Sequence, residues 1–135
     1  MMIKILILIL AMLFIGPVQA GQYPATISRV VDGDTFDVDV IVWPDISVST
    51  RVRVRGVDTP EIRGKCQAEK DLAIQATART SDLIGGHVIL ENIAKDSFGR
   101  SLATVILNDG RDLADVLKSE GLGREWHKGK RNDWC

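Results

Sequence analysis

The sequence predicts a small β-barrel carrying two helices, one α+β domain behind a removable leader. Three observations support this. Apolar and polar residues alternate in three segments and two further apolar runs follow, turn residues punctuate these five segments, and two helical stretches appear only after the third of them. A chain of 135 residues with 45% hydrophobic and 26% charged residues has the balance of one compact domain, and no internal repeat, low-complexity segment or Pro/Ser-rich linker argues for a second.

Residues 1–20 open with one positive charge, Lys4, continue with an apolar run over 5–15, and end in Gly16-Pro17-Val18-Gln19-Ala20. This is the order of a secretory signal peptide cleaved after Ala20. The alternative, an uncleaved membrane anchor, needs about 20 apolar residues, more than the run provides. The domain is therefore expected over residues 21–135, exported to the periplasm or the medium.

Within it, residues 25–31 alternate weakly and reach Asp32-Gly33-Asp34, whose Asp-Gly pair favours a tight turn. Phe36, Val38, Val40 and Val42 then alternate against Asp37 and Asp39, which predicts a hairpin with one wet face. After a turn at Trp43-Pro44-Asp45, residues 48–57 alternate again, with Val52 and Val54 opposite Arg51, Arg53 and Arg55. Residues 67–84 predict the longest helix, with Ala68, Leu72, Ala76 and Leu83 as a narrow apolar stripe and Gly85-Gly86 as its stop. Residues 88–93 and 102–107 flank a turn at 96–100 and read as a second hairpin. A short helix follows, with Asp112 as N-cap, Leu113, Val116 and Leu117 as its apolar face and Gly121 at its end. Strand, strand, strand, helix, strand, strand, helix is compatible with the five-stranded OB-fold barrel, whose faces and loops commonly bind nucleic acid.

The charge balance does not by itself mark a nucleic-acid binder. Losing the leader removes one base, Lys4, and no acid, so the net charge moves from −1 to −2. Phosphate recognition would have to come from local concentrations of arginine and lysine. Cys66 and Cys135 both lie in the mature part, and an even count in an exported chain reads most simply as one disulfide, two free thiols being the alternative. Closing a loop of about 70 residues would constrain the unfolded chain by roughly 4 kcal/mol.

Three islands carry candidate chemistry: Asp32-Gly33-Asp34-Thr35, Arg53 to Glu61 around Asp58-Thr59-Pro60-Glu61, and Asp96-Ser97-Phe98-Gly99-Arg100. Taken singly they read as a turn, a strand end and a surface arginine. Together they supply what phosphodiester cleavage needs: hard oxygen ligands in Asp34 and Asp58, planar guanidinium forks in Arg53 and Arg100, and a carboxylate for water in Glu61.

The order of these islands resembles the staphylococcal nuclease (thermonuclease) family, over residues 25–121. The resemblance implies a calcium ion held by Asp34, Asp58 and the main-chain carbonyl of Thr59, with Asp32 in the outer shell. It further implies Glu61 acting on the attacking water, Arg53 and Arg100 stabilising the phosphate, and single-stranded DNA or RNA as substrate. Phe98 stands where the best-known member has tyrosine, the segment 62–66 lacks a longer lysine-rich loop, and the chain ends soon after its second helix. Phe98 and Trp126 are candidate base-stacking residues, Trp126 with the alternative that it packs the basic, aromatic tail onto the body. No stable membrane partner is expected, and a monomer is the expected state. Two competing readings remain at this level: a catalytically idle OB-fold module binding single-stranded nucleic acid or a protein partner, and calcium serving only to stabilise the fold.

Overall fold

The computed structural model describes residues 21–135, so the predicted leader lies outside the described residues. Seven elements follow in order: β1 (Tyr23–Asp32), β2 (Thr35–Trp43), β3 (Ile46–Val54), α1 (Gln67–Ile84), β4 (His87–Lys95), β5 (Ser101–Ile106) and α2 (Leu113–Ser119). The strands close a barrel in the order β1-β2-β3-β5-β4, antiparallel except where β3 runs parallel to β5. This is the five-stranded OB-type barrel with two helices. Among the described residues no helix is long and apolar enough to cross a membrane.

Closure follows from the period-two pattern. Phe36, Val38 and Val40 of β2, Val52 and Val54 of β3, Val88 and Leu90 of β4, and Ala103 and Val105 of β5 all point inward and are buried. Leu113 and Leu117 of α2 join the same core, each contributing roughly 1.5–3 kcal/mol by leaving water. Asp112 caps α2 by accepting the Ala114 N–H at 2.8 Å.

Two expectations need correction. Residues 48–57 do not form one strand: β3 stops at Val54, because Gly56 turns the chain at φ 86°, and Arg55 falls in the turn. Arg51 is exposed while Arg53 is buried, so the three arginines do not share a wet face. The buried face of α1 is also rotated from the predicted stripe. Glu69, Ala73, Ala76, Thr80 and Ile84 face inward, whereas Ala68 is exposed and Leu72 and Leu83 are half-buried. Close approach selects the small side chains. A Cβ on Gly33 would meet the Ala76 Cβ at 3.0 Å, and the Thr80 hydroxyl donates to the Gly33 carbonyl at 2.7 Å. Residue volume, not hydrophobicity, decides which face of α1 sits against the β1–β2 turn.

Cys66 and Cys135 are bonded, tying the chain terminus to the start of α1. Cys66 doubles as the helix N-cap, its Sγ accepting the Glu69 N–H at 3.5 Å.

Candidate active site

The β1–β2 turn, clamped by α1, delivers Asp34 to the start of β2 with only 6% of its surface exposed. Its Oδ1 accepts the Thr35 hydroxyl at 2.8 Å and its Oδ2 accepts the Thr59 N–H at 2.9 Å. The β2–β3 register sets Arg53 opposite Thr35, next to that carboxylate. Arg53 Nη1 donates to the carbonyls of Val54 at 2.9 Å and Val57 at 2.7 Å, and stands 3.4 Å from Asp34 Oδ2. Nη2 lies 3.8 Å from Asp58 Oδ1. Asp58 is held in turn by paired main-chain bonds to Arg124, at 2.8 and 2.9 Å, and accepts Asn132 Nδ2 at Oδ2. Three charged side chains are thus buried together, two acids and one base.

Such burial is costly unless the charges are paired, and one guanidinium cannot neutralise two carboxylates. The remaining negative charge sits beside Thr59, which is fully buried and whose Oγ1 has no hydrogen-bond partner among the described residues. An all-oxygen set with surplus negative charge fits a hard cation such as calcium. Among the described residues no group of three or more acidic, histidine or cysteine side chains is placed to hold a metal ion, so other oxygen would have to complete the ligand set.

Glu61 lies two residues beyond Thr59 with its side chain half-exposed. Partial burial pushes its carboxyl above the ordinary carboxylate range against the pull of Arg131, and Asp32, Asp34 and Glu69 push the same way. Asp32 is raised as well, first by burial and then by Asp34, although its Oδ1 accepts the Ile62 N–H at 3.1 Å.

Arg100 comes from the β4–β5 turn. Asp96 organises that turn: its Oδ1 accepts the Phe98 and Arg100 N–H groups at 2.9 and 2.8 Å, and its Oδ2 takes Arg100 Nε at 2.6 Å. The Arg100 guanidinium lies 5.2 Å from the centre of the Phe98 ring, which is itself largely exposed. Glu61, Phe98, Gly99 and Arg100 line one open depression together with the cross-strand pair Asp37 and Arg51.

The predicted site residues therefore fall in two groups. Asp34, Arg53, Asp58 and Thr59 form a buried cluster, and Glu61, Phe98 and Arg100 border the depression beside it. Trp126 belongs to neither, being exposed on the tail, while Trp134 is buried under the Arg124 guanidinium, 4.1 Å from the ring. Three residues absent from the sequence reading join the site: Glu69, Arg131 and Asn132. Glu69 resembled an ordinary first-turn helix acid. Its four-residue spacing from the small Ala73, on the face that packs, was the signal that it points inward.

Two comparisons with known proteins bear on the family of the chain. Over 99 residues the chain is 34% identical to Protein ParB of Escherichia coli, an alignment covering 73% of this chain and 50% of that relative, so the chain spans about half the relative's length. The family model described as staphylococcal nuclease homologue matches residues 51–133, a stretch that includes Arg53, Asp58, Glu61 and Arg100. With more than half of its length matched, this chain belongs to the staphylococcal nuclease homologue family.

Proposed function

We propose that the chain is an exported, calcium-dependent nuclease that hydrolyses phosphodiester bonds in single-stranded DNA or RNA. One observation carries the reading: a buried cluster of two carboxylates and one arginine stands beside a half-exposed glutamate. Asp34, Asp58 and the carbonyl of Thr59 would hold the calcium ion, which when bound supplies positive charge to a non-bridging phosphate oxygen.

The side chains divide the remaining work. Glu61 orients the attacking water and accepts its proton, its half-exposed carboxylate bordering the open depression. Arg53 is fixed by two carbonyls and needs no reorganisation to meet charge developing on the phosphate. Arg100 keeps Nε on Asp96 and turns its outer nitrogens toward the depression's anion. Phe98 offers an exposed ring for a base. The Cys66–Cys135 bond suits an oxidising compartment, consistent with export of a domain starting at Gly21.

The test is cleavage of single-stranded DNA and RNA by residues 21–135, in calcium and in chelator, with Glu61→Gln alongside. Calcium-dependent cutting that E61Q loses by about a hundredfold or more supports the reading. Binding without cutting would replace it with the idle binding module, and calcium-raised melting without either would leave only a stabilising ion.

A further inference from the structure

Beyond α2 the chain does not leave the body. Arg124 bridges the main chain of Asp58, Asn132 reaches both Asp58 and the Glu125 carbonyl, Trp134 is buried, and Cys135 closes onto Cys66. Between these anchors Arg131 is set against the 61–65 turn. Its Nη2 donates to Glu69 Oε2, and its Nε lies 3.5 Å from Glu61 Oε1.

Glu69 is the hub of this contact. It is 2% exposed, yet its pKa is lowered: burial alone would raise it, but the N–H groups of Glu61 and Lys65 and the charge of Arg131 outweigh burial. Those N–H groups lie 3.1 Å from Oε2 and 3.2 Å from Oε1. The turn wraps the carboxylate so closely that a Cβ on Gly64 would come within 2.5 Å of Glu69 Cδ. Both the main chain and the side chain of Glu61 are therefore referenced to one Arg131–Glu69 pair.

We infer that Arg131 is a positioning residue for Glu61, brought to it by the disulfide-closed tail; this rests on the nuclease reading above. Its tight partner is Glu69, and its nearest approach to Glu61 is the longer one, so the half-exposed Glu61 carboxylate stays accessible to water. A lost Arg131 leaves Glu69 as a buried charge with no countercharge, and the turn it gathers loosens.

The experiment compares the chain 21–135 with Arg131→Gln, Arg131→Lys and the double variant Cys66→Ser/Cys135→Ser, in which serine still caps α1. Cutting of single-stranded DNA in calcium is measured with amide hydrogen exchange at Glu61 and Lys65. R131Q should lower kcat about thirtyfold with KM within about threefold, and R131K should recover part of the loss. Exchange at Glu61 and Lys65 should quicken in R131Q and in the double serine variant by about tenfold more than exchange at the core amide of Leu90, which reports the global stability each variant loses.

An unchanged kcat, a raised kcat showing that the tail obstructs the site, or a raised KM with kcat kept would each overturn the inference. Unaltered exchange at the two amides would do the same. If the parent chain cuts nothing, the nuclease reading fails, and the exchange data alone still decide whether Arg131 holds the turn.

Discussion

Arg53 and Arg100 share the phosphate-binding role in the proposed function, but the molecule holds them in opposite ways. Arg53 is 8% exposed, locked by two carbonyls and flanked by two buried carboxylates. Arg100 stands on a turn, bound only to Asp96 four residues before it and lying over an exposed phenylalanine. The first arginine is part of the fold's charge balance, and the second is an attachment to it. A group that does chemistry can thus be bound into stability or left free of it, and substitutions should separate the two cases.

The largest effect is expected at Arg53. Arg53→Met leaves Asp34 and Asp58 buried without their countercharge and should destabilise the domain by about 3–5 kcal/mol in urea unfolding. Calcium should return part of that loss by occupying the same carboxylates. A fully stable R53M without calcium would break the comparison, because it would mean the cluster is not held by charge.

Arg100→Met should do the reverse. Its activity is expected to fall by about a hundredfold or more, in line with removing one donor to developing charge, while unfolding moves by no more than about 1 kcal/mol. Asp96→Asn sharpens the point at smaller scale. It keeps Arg100 but slackens the turn, so a loss of roughly three- to tenfold in kcat is expected with KM little changed. A loss as large as that of R100M would show that Asp96 is as necessary as the arginine it holds.

The same contrast explains what could be read from the sequence. The ends of α1 and the cap of α2 are written in local chemistry, since Cys66, Gly85 and Asp112 act on the helix turns beside them. The inward face of α1 is legible only at Ala76, because Ala73 and Thr80 carry little hydrophobic signal and the close approach of the β1–β2 turn to Ala76 and Thr80 is a long-range contact. The order of the acidic and arginine islands pointed to the site, and the barrel register brings Arg53 to Asp34. Glu69 and Arg131 stayed hidden because their contact spans 62 positions and depends on a tail folded back onto Cys66. No local pattern encodes such a closure.

The smallest effect concerns acid. Glu69 and Asp96 both have lowered pKa values, burial being outweighed in each by N–H donors and an arginine. A carboxyl lowered on folding contributes stability above its ordinary value, 4.5 for Glu69 and 3.8 for Asp96, and loses it as the pH falls through the folded value. Asp32 and Glu61 are raised and act with the opposite sign, favouring the folded state as the pH falls. These four enter the acid-side slope with opposite signs, together with the lowered Asp37, Asp109, Glu120 and Glu125 and the raised Asp112. Glu69→Gln and Asp96→Asn should each flatten the loss of stability measured from pH 5 down to about pH 3. Glu69→Gln should flatten it more, because Glu69 is nearly inaccessible and gathers the 61–65 turn while Asp96 holds a surface turn. Equal slopes for the two variants would mean that the buried Glu69, paired with Arg131, and the surface-turn Asp96, paired with Arg100, couple to protons alike.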